Sequence, residues 1–182
     1  MEVLFATSNR HKVSEANRIG RKFGVKFRRV DVPYSEIRNN SVSKVALAGI
    51  KYVYPKVKKP VVVEDSGLFI NALNGFPGPY SRYVFDTIGV QGILDLMRGR
   101  KERSAFFVSS IGFSDGKCEK VFEGVVNGKI SNSSRGSSGF GFDPIFIPKG
   151  FNKTFAEDSL IKKRISHRSV AVELFCRWLT VR

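Results

Sequence analysis

The sequence predicts an α/β protein built on a mixed β-sheet, and three observations carry this prediction. Patterns typical of strands and helices alternate along the first third of the chain. The run Val61-Val62-Val63 is the uninterrupted β-branched segment expected of a strand buried on both faces. Two strand-like segments flank Asp115-Gly116, which is a strong hairpin signal. This order favours a mixed sheet over a purely parallel one, and the absence of a linker or repeat predicts a single domain over residues 1–182.

The N-terminal elements follow from the spacing of apolar residues. Residues 3–6 form a short apolar run that predicts a strand, and the polar residues 7–9 then form a turn. Apolar side chains recur at helical spacing over residues 12–23, and Gly24 ends this predicted helix. Residues 25–32 predict a second strand, and the cations between its apolar positions indicate an edge of the sheet.

The middle of the chain contains a second helix, the valine strand and a loop. The helix is predicted over residues 43–54 and is closed by Pro55. The valine run precedes the acidic pair Glu64-Asp65, which is therefore expected at the end of that strand. Residues 74–80 are dense in Gly and Pro and predict a loop.

The last helix is predicted over residues 166–180, with Val170, Leu174 and Trp178 on one face. The elements predicted before it are a short helix at 89–97, hairpin strands at 105–113 and 118–126, and a loop at 131–138.

Composition and charge limit the classes of protein and of binding partner that fit this sequence. The 182 residues are 42% hydrophobic and 12% aromatic, which is too apolar for a disordered chain. Two cysteines without metal-ligand spacing indicate reduced thiols, and no apolar run reaches the length of a membrane span, so we expect a cytoplasmic protein. A net charge of +15 favours polyanionic partners such as nucleotides, nucleic acid or an anionic membrane surface.

The first candidate site is the segment between the first strand and the first helix. Its residues are Thr7, Ser8, Asn9, Arg10, His11 and Lys12. A helix N-terminus favours an anion, and hydroxyl groups and Lys12 would add further donors. Capping of the helix by Ser8 or Asn9 explains the same residues equally well.

The second candidate site is Glu64-Asp65-Ser66 after the valine run. Two carboxylates at the end of a buried strand could hold Mg²⁺, which prefers carboxylate and phosphate oxygens, or could act as a general base. Glu36 is a weaker third carboxylate, and on its pattern alone an ordinary surface residue.

Two further candidate sites lie in the C-terminal half. In Gly139-Phe140-Gly141-Phe142-Asp143-Pro144 the glycines permit close backbone approach, and two aromatic rings could stack on a flat base or belong to the core. The segment around Lys162, His167 and Arg168 places cations and an imidazole near the start of the last helix, where a capping or packed histidine is the simpler interpretation.

Taken in order, these segments resemble the inosine triphosphate pyrophosphatase family over nearly the whole chain. The matching segments are TSNRHK at 7–12, VVVEDSGL at 61–68, NGFPGPYSR at 74–82, GFGFDPIF at 139–146 and ISHRSVA at 165–171. The resemblance implies an α/β fold of two lobes around a long, twisted mixed β-sheet with flanking helices, an active-site cleft between the lobes, and a homodimer. It also implies Mg²⁺-dependent cleavage of deaminated purine nucleoside triphosphates to monophosphate and pyrophosphate.

The resemblance assigns a role to each candidate residue. The segment from Thr7 to Lys12 would bind the phosphates, Asp65 would bind Mg²⁺ and activate water, and Ser66 would contact the substrate. Glu36 and Glu64 would be additional metal carboxylates. The segment Phe140, Gly141, Phe142 and Asp143 would form the base pocket, with Lys162, His167 and Arg168 reading the 6-oxo edge of the purine. Lys163 is the alternative to Lys162, whose position five residues before His167 favours it.

Two other functions compete with this one. A pyrophosphatase of the same fold could act on other modified nucleotides, although the SHR and GFGFDP segments favour the purine family. A basic nucleic-acid-binding protein would explain the charge, but it would leave Glu64-Asp65 without a role, because carboxylates repel phosphates in the absence of metal. We therefore expect no specific nucleic-acid partner.

Overall fold

The computed structural model describes residues 1–182. It contains seven strands and six α-helices: β1 (Glu2–Ala6), α1 (Arg10–Gly20), β2 (Lys26–Val30), α2 (Val42–Val57), β3 (Val61–Ile70), β4 (Pro77–Gly78), α3 (Ser81–Thr87), α4 (Gly89–Leu96), β5 (Ser104–Ser114), β6 (Glu119–Ile130), β7 (Phe146–Pro148), α5 (Ser159–Ile165) and α6 (His167–Thr180). No helix is long and apolar enough to cross a membrane.

The strands form one mixed sheet in the order β2-β1-β3-β5-β6-β7, with β4 paired to β3. β1 runs parallel to β2 and β3, whereas the β3–β4 and β6–β7 pairs are antiparallel. The prediction of a mixed α/β sheet with flanking helices is confirmed, as is the edge position of β2. The outer edge of β2 is covered at Phe27, whose N–H and C=O both bond the Asn17 amide of α1 at 2.8 Å.

The chain divides into two compact units. Unit 1 comprises Met1–Ser66, Ser109–Gly124 and His167–Arg182, and unit 2 comprises Gly67–Val108 and Val125–Ser166. Alternate residues of β1 and β3 enter two different cores of unit 1. Phe5 and Val62 pack with α1 and α6, whereas Leu4, Val61 and Val63 pack with α2. The valine run is therefore buried on both faces, as predicted.

Unit 2 has its own core under α3 and α4. Leu68 and Ile70 from the second half of β3 pack there with Phe146 of β7 and with Phe155. Gly67 allows this strand to approach its neighbour, because a Cβ atom at position 67 would overlap the carbonyl oxygen of Gly78.

β3 is the main difference from the predicted elements. The sequence predicts a strand that ends after Val63, but β3 continues to Ile70 and places Glu64 and Asp65 in its middle. The physical reason is that Leu68 and Ile70 supply a second buried apolar pair beyond the acidic residues. The expectation that the acidic pair lies at a strand terminus is therefore wrong.

Two helices also differ from their predicted form. α2 continues to Val57 with Pro55 inside its last turn, and it ends at Lys58 in the left-handed conformation, φ 48°. In α6 the buried side chains include Ala171, Val172 and Phe175, whereas Leu174 is exposed. Of the predicted face, Trp178 packs against the core, whereas Leu174 points to solvent. β4, β7, α3 and α5 were not predicted.

Candidate active site

The acidic pair of β3 lies in unit 1 with its two side chains on opposite faces of the strand. Successive residues of a strand point to opposite faces, so Glu64 shares the face of Val62 and Asp65 that of Val63. Glu64 is 3% exposed and Asp65 is 7% exposed. Two neighbouring carboxylates are therefore buried in different surroundings, and the contacts of each define its role.

Glu64 is held by two cations and a hydroxyl group. Its Oε1 atom accepts from Ser109 Oγ at 2.7 Å and from Arg168 Nε at 3.1 Å, and its Oε2 atom lies 2.9 Å from Lys12 Nζ. Burial acts to raise the pKa of Glu64, but the charges of Arg168 and Lys12 and the hydrogen bonds from Lys12 and Ser109 hold it far below its ordinary value. Glu64 is therefore a permanent anion.

Arg168, the second residue of α6, is the most buried cation of this group. Its guanidinium also contacts Glu15 of α1, with Nη1 2.5 Å from Oε2, and it donates weakly to Ser66 Oγ at 3.4 Å. Burial opposes the charge, but Glu64 and Glu15 raise the pKa of Arg168 well above its ordinary value. The role predicted for Arg168 toward a purine stays a prediction, whereas the structure shows it anchoring Glu64.

Unlike Glu64, which forms salt bridges with Lys12 and Arg168, Asp65 forms none. Its Oδ2 atom is buried and accepts no hydrogen bond. Burial raises the pKa of Asp65 to about 7, Lys12 opposes this, and the negative charges of Glu36 and Glu64 reinforce it. The same three carboxylates act on Tyr34, whose pKa is raised by burial and by Glu36, Asp65 and Glu64. Asp65 is thus a carboxylate that a cation would stabilise.

The start of α1 contains a helix cap, and one turn later a lysine that contacts Glu64. Asn9 Oδ1 accepts from the N–H of His11 at 2.9 Å, and the N–H of Asn9 donates to Thr7 Oγ1 at 3.1 Å, so the capping interpretation is confirmed for Asn9. Lys12 Nζ is fixed between the carboxylate and the carbonyl oxygen of Glu64, the latter at 3.0 Å. The other predicted members of this segment, Ser8, Arg10 and His11, are exposed.

In unit 2 the predicted base-pocket residues form a second cluster around Asp143. Asp143 Oδ2 accepts from Lys162 Nζ at 2.6 Å and from the N–H of Phe140 at 2.8 Å. The ammonium group of Lys162 also lies 4.1 Å from the centre of the Phe140 ring. Gly139 is required here, because its φ is 83° and a Cβ atom would overlap Asp143 Oδ2.

The two aromatic residues of this segment have different surroundings. Phe142 is 3% exposed and packs edge to face on Phe85, whereas Phe140 is half-buried. The core interpretation therefore holds for Phe142, whereas the base-stacking role of Phe140 stays a prediction. Lys162 is buried and Lys163 is exposed, so Lys162 is the inward-facing lysine of the pair.

The candidate residues divide between the two units. Unit 1 holds Thr7, Ser8, Asn9, Arg10, His11, Lys12, Glu36, Glu64, Asp65, Ser66, His167 and Arg168, and unit 2 holds Phe140, Gly141, Phe142, Asp143 and Lys162. His167 is 5% exposed at the first position of α6. Sequence reasoning missed Glu15, Ser109 and Tyr34, whose roles depend on contacts between distant segments. The helical pattern around Lys12 does place Glu15 one turn further along α1.

The sequence and fold are those of a nucleotide-hydrolysing family. The Ham1 family model matches residues 3–178, and the chain belongs to this family. A Pyrococcus horikoshii relative named dITP/XTP pyrophosphatase is 50% identical over 184 residues, covering 100% of this chain and 98% of the relative. A Methanopyrus kandleri relative of the same name is 49% identical over 180 residues, covering 98% of this chain and 96% of its own length.

Solved structures agree with this assignment. The structure of a HAM1 protein from Coxiella burnetii is similar with a TM-score of 0.88 and 29% identity, covering 100% of both chains. The Ham1 protein of Staphylococcus aureus is similar with a TM-score of 0.83 and 29% identity, covering 98% of both chains.

Proposed function

We propose that this protein hydrolyses deaminated purine nucleoside triphosphates, such as ITP, dITP and XTP, to the nucleoside monophosphate and pyrophosphate. The observation that carries the proposal is the buried acidic pair of β3. Glu64 fixes the Lys12 ammonium group, and Asp65 on the other face of the strand keeps an unpartnered oxygen. Family membership and the names of the relatives support the substrate class.

The donor set fits a magnesium ion. No group of three or more Asp, Glu, His or Cys side chains is close enough to hold a metal by itself. Mg²⁺ commonly uses only one or two carboxylates and completes its shell with water and substrate phosphates. Asp65 has the free oxygen, and the charge of Glu36 acts on it. Glu64 was the third candidate ligand, but its oxygens already contact Lys12, Arg168 and Ser109, so Asp65 and Glu36 fit best.

Each residue of unit 1 then has a chemical task. Lys12 would pair with the triphosphate, which approaches the N-terminus of α1. Asp65 would orient the attacking water and accept its proton, as a buried carboxylate with a pKa near 7 can do. Bound Mg²⁺ would neutralise phosphate charge as a Lewis acid. The water adds across the α–β phosphoanhydride, so monophosphate and pyrophosphate are the two products.

The purine specificity would come from donors aimed at the 6-oxo group. Lys162 is the candidate in unit 2, held by Asp143 and lying over Phe140. Hypoxanthine and xanthine accept a hydrogen bond at this position, whereas adenine presents an amino group. A buried donor left unpaired costs about 1 to 3 kcal/mol, which is enough to disfavour ATP.

The test is pyrophosphate release from ITP, XTP, GTP, ATP and CTP at one concentration with Mg²⁺. We expect preference for ITP and XTP. Asp65→Asn preserves the shape of the side chain and should lower the rate by a factor of about 100 to 10 000, because it removes the base and a metal ligand. Equal cleavage of all five substrates would contradict the 6-oxo selectivity, and an unchanged rate in Asp65→Asn would contradict the assigned role of Asp65.

We also propose a cytoplasmic homodimer, as the resemblance to the inosine triphosphate pyrophosphatase family implies. Light scattering coupled to size-exclusion chromatography tests the dimer against the 20.4 kDa mass of one chain. A single species of that mass at micromolar concentration would contradict it.

A further inference from the structure

Glu36 lies in a segment that no regular structure holds in place. Residues 31–39 form neither helix nor strand, and the Glu36 side chain is exposed. Its charge nevertheless acts on the buried Asp65 carboxylate. A metal ligand must be held in a defined position, because ordering a mobile side chain costs conformational entropy on binding. Some other contact must therefore fix this segment.

Tyr34 supplies such a contact, two residues before Glu36. It is half-buried and packs against the core cluster that contains Ile50 and Val53 of α2. Its ring also packs on Tyr52 of α2, with ring centres 6.2 Å apart. The aromatic side chain thus fastens the segment to α2.

The Tyr34 ring packs closely against Gly49 of α2. A Cβ atom at position 49 would lie 3.0 Å from Tyr34 Cε2 and 3.0 Å from Val63 Cγ1, so neither side could accept it without a shift. Alanine is the better helix former, and α2 has no positive φ at position 49 that would require glycine. The close approach of the Tyr34 ring and of Val63 together explains why this buried helical position is a glycine.

We propose that Tyr34, packed against Gly49, is a positioning residue that holds the Glu36 carboxylate near Asp65, so that both can bind a divalent cation. This inference rests on the metal site of the proposed function. The Tyr34 ring does the positioning, so it acts through Glu36 and does not itself bind the cation. The ring approaches the same Gly49 surface as Val63, and Val63 lies on the strand face of Asp65, so the ring lies on the Asp65 side of β3.

The test is a titration of the protein with Mn²⁺ alone, followed by the electron paramagnetic resonance signal of the free ion. Tyr34→Ala and Glu36→Gln should each weaken Mn²⁺ binding by about 10- to 100-fold, the range found when residues that orient metal ligands are changed. Gly49→Ala should weaken it in the same direction, because the added methyl group displaces the ring. Tyr34→Phe keeps the ring and should bind like the wild type.

A double-mutant comparison separates positioning from a general structural effect. In a Glu36→Gln background, Tyr34→Ala should cause no further loss, because the group that it positions is already gone. Tyr83→Ala, which removes an exposed tyrosine from unit 2, is the matched control and should bind Mn²⁺ like the wild type. If Tyr34→Ala does not fold, Gly49→Ala and Tyr34→Leu give the same comparison.

Four results would overturn the proposal. These are undiminished Mn²⁺ binding in both Tyr34→Ala and Gly49→Ala, an equal loss with and without Glu36, a loss in Tyr34→Phe as large as in Tyr34→Ala, and no Mn²⁺ binding to the wild type. The titration contains no nucleotide. A protein that binds Mn²⁺ as expected but releases no pyrophosphate would therefore remove the proposed function and leave this inference standing.

Discussion

Replacement of Arg168 by Met should destabilise the folded protein, because it removes one of the two cations that pair with the buried Glu64 carboxylate. The Arg168 side chain is 2% exposed and the Glu64 side chain is 0% exposed, with Nε and Oε1 3.1 Å apart. Methionine fills much of the same volume but leaves Glu64 with Lys12 as its only cation. It also leaves Glu15 without the guanidinium that lies 2.5 Å away.

The magnitude follows from the burial of both partners. Breaking a buried ion pair by removing one partner costs about 3 to 5 kcal/mol, because the remaining charge stays in the interior. A chain of this size loses about 2 to 4 °C of melting temperature per kcal/mol, so Arg168→Met should melt about 6 to 20 °C lower. Glu64→Gln combined with Arg168→Met removes the stranded charge, and the double variant should lose less than the sum of the single losses.

The assay is urea unfolding of the wild type, both single variants and the double variant. The pH dependence gives a second readout. The depressed pKa of Glu64 adds stability that is present above its ordinary pKa of 4.5 and is lost as the pH falls toward the folded value. The gap between wild type and Arg168→Met should therefore narrow below pH 4.5. A loss under about 1 kcal/mol for Arg168→Met, or strict additivity in the double variant, would refute this reasoning.

Three further predictions concern other parts of the molecule. Asn17→Ala uncovers the N–H and C=O of Phe27 at the sheet edge, and should cost about 1 to 3 kcal/mol in thermal unfolding and increase light scattering on heating. Gly124→Ala should destabilise by about 1 to 3 kcal/mol, measured by urea unfolding, because its Cβ atom would overlap the carbonyl oxygen of His167. Lys162→Met should lower kcat/KM for ITP by about 10- to 100-fold but change that for ATP little, and an equal loss for both substrates would contradict its role in base recognition.

Local sequence patterns predicted most elements correctly, because apolar spacing and turn residues within a segment determine whether it forms a helix or a strand. The helical spacing of Ala16 and Ile19 predicted α1, and Asp115-Gly116 predicted the hairpin of β5 and β6. The extent of β3 could not be predicted in this way. Glu64 and Asp65 are unusual inside a strand, and only the cations that neutralise Glu64 from α1 and α6 make that burial tolerable.

For the candidate site, too, the sequence indicated individual residues but not the contacts between distant ones. The motifs singled out Lys12, Glu64 and Arg168, and the structure joins these three residues in one ion-pair network. They did not identify Ser109, whose hydroxyl contacts a carboxylate 45 positions away. The metal-binding role of Glu64 stays a prediction, and nothing in the order of residues shows that Arg168 reaches its carboxylate. The partners of a buried charge are a property of the folded chain.

The products formed from ITP test the central claim most directly. Phosphorus NMR of a reaction with Mg²⁺ distinguishes pyrophosphate from inorganic phosphate, and a parallel reaction with ATP reports the base preference. We predict inosine monophosphate and pyrophosphate as the only products from ITP, and much slower cleavage of ATP. Inosine diphosphate and inorganic phosphate, or no reaction with ITP, would contradict the assignment of this site to α–β cleavage of deaminated purine nucleotides.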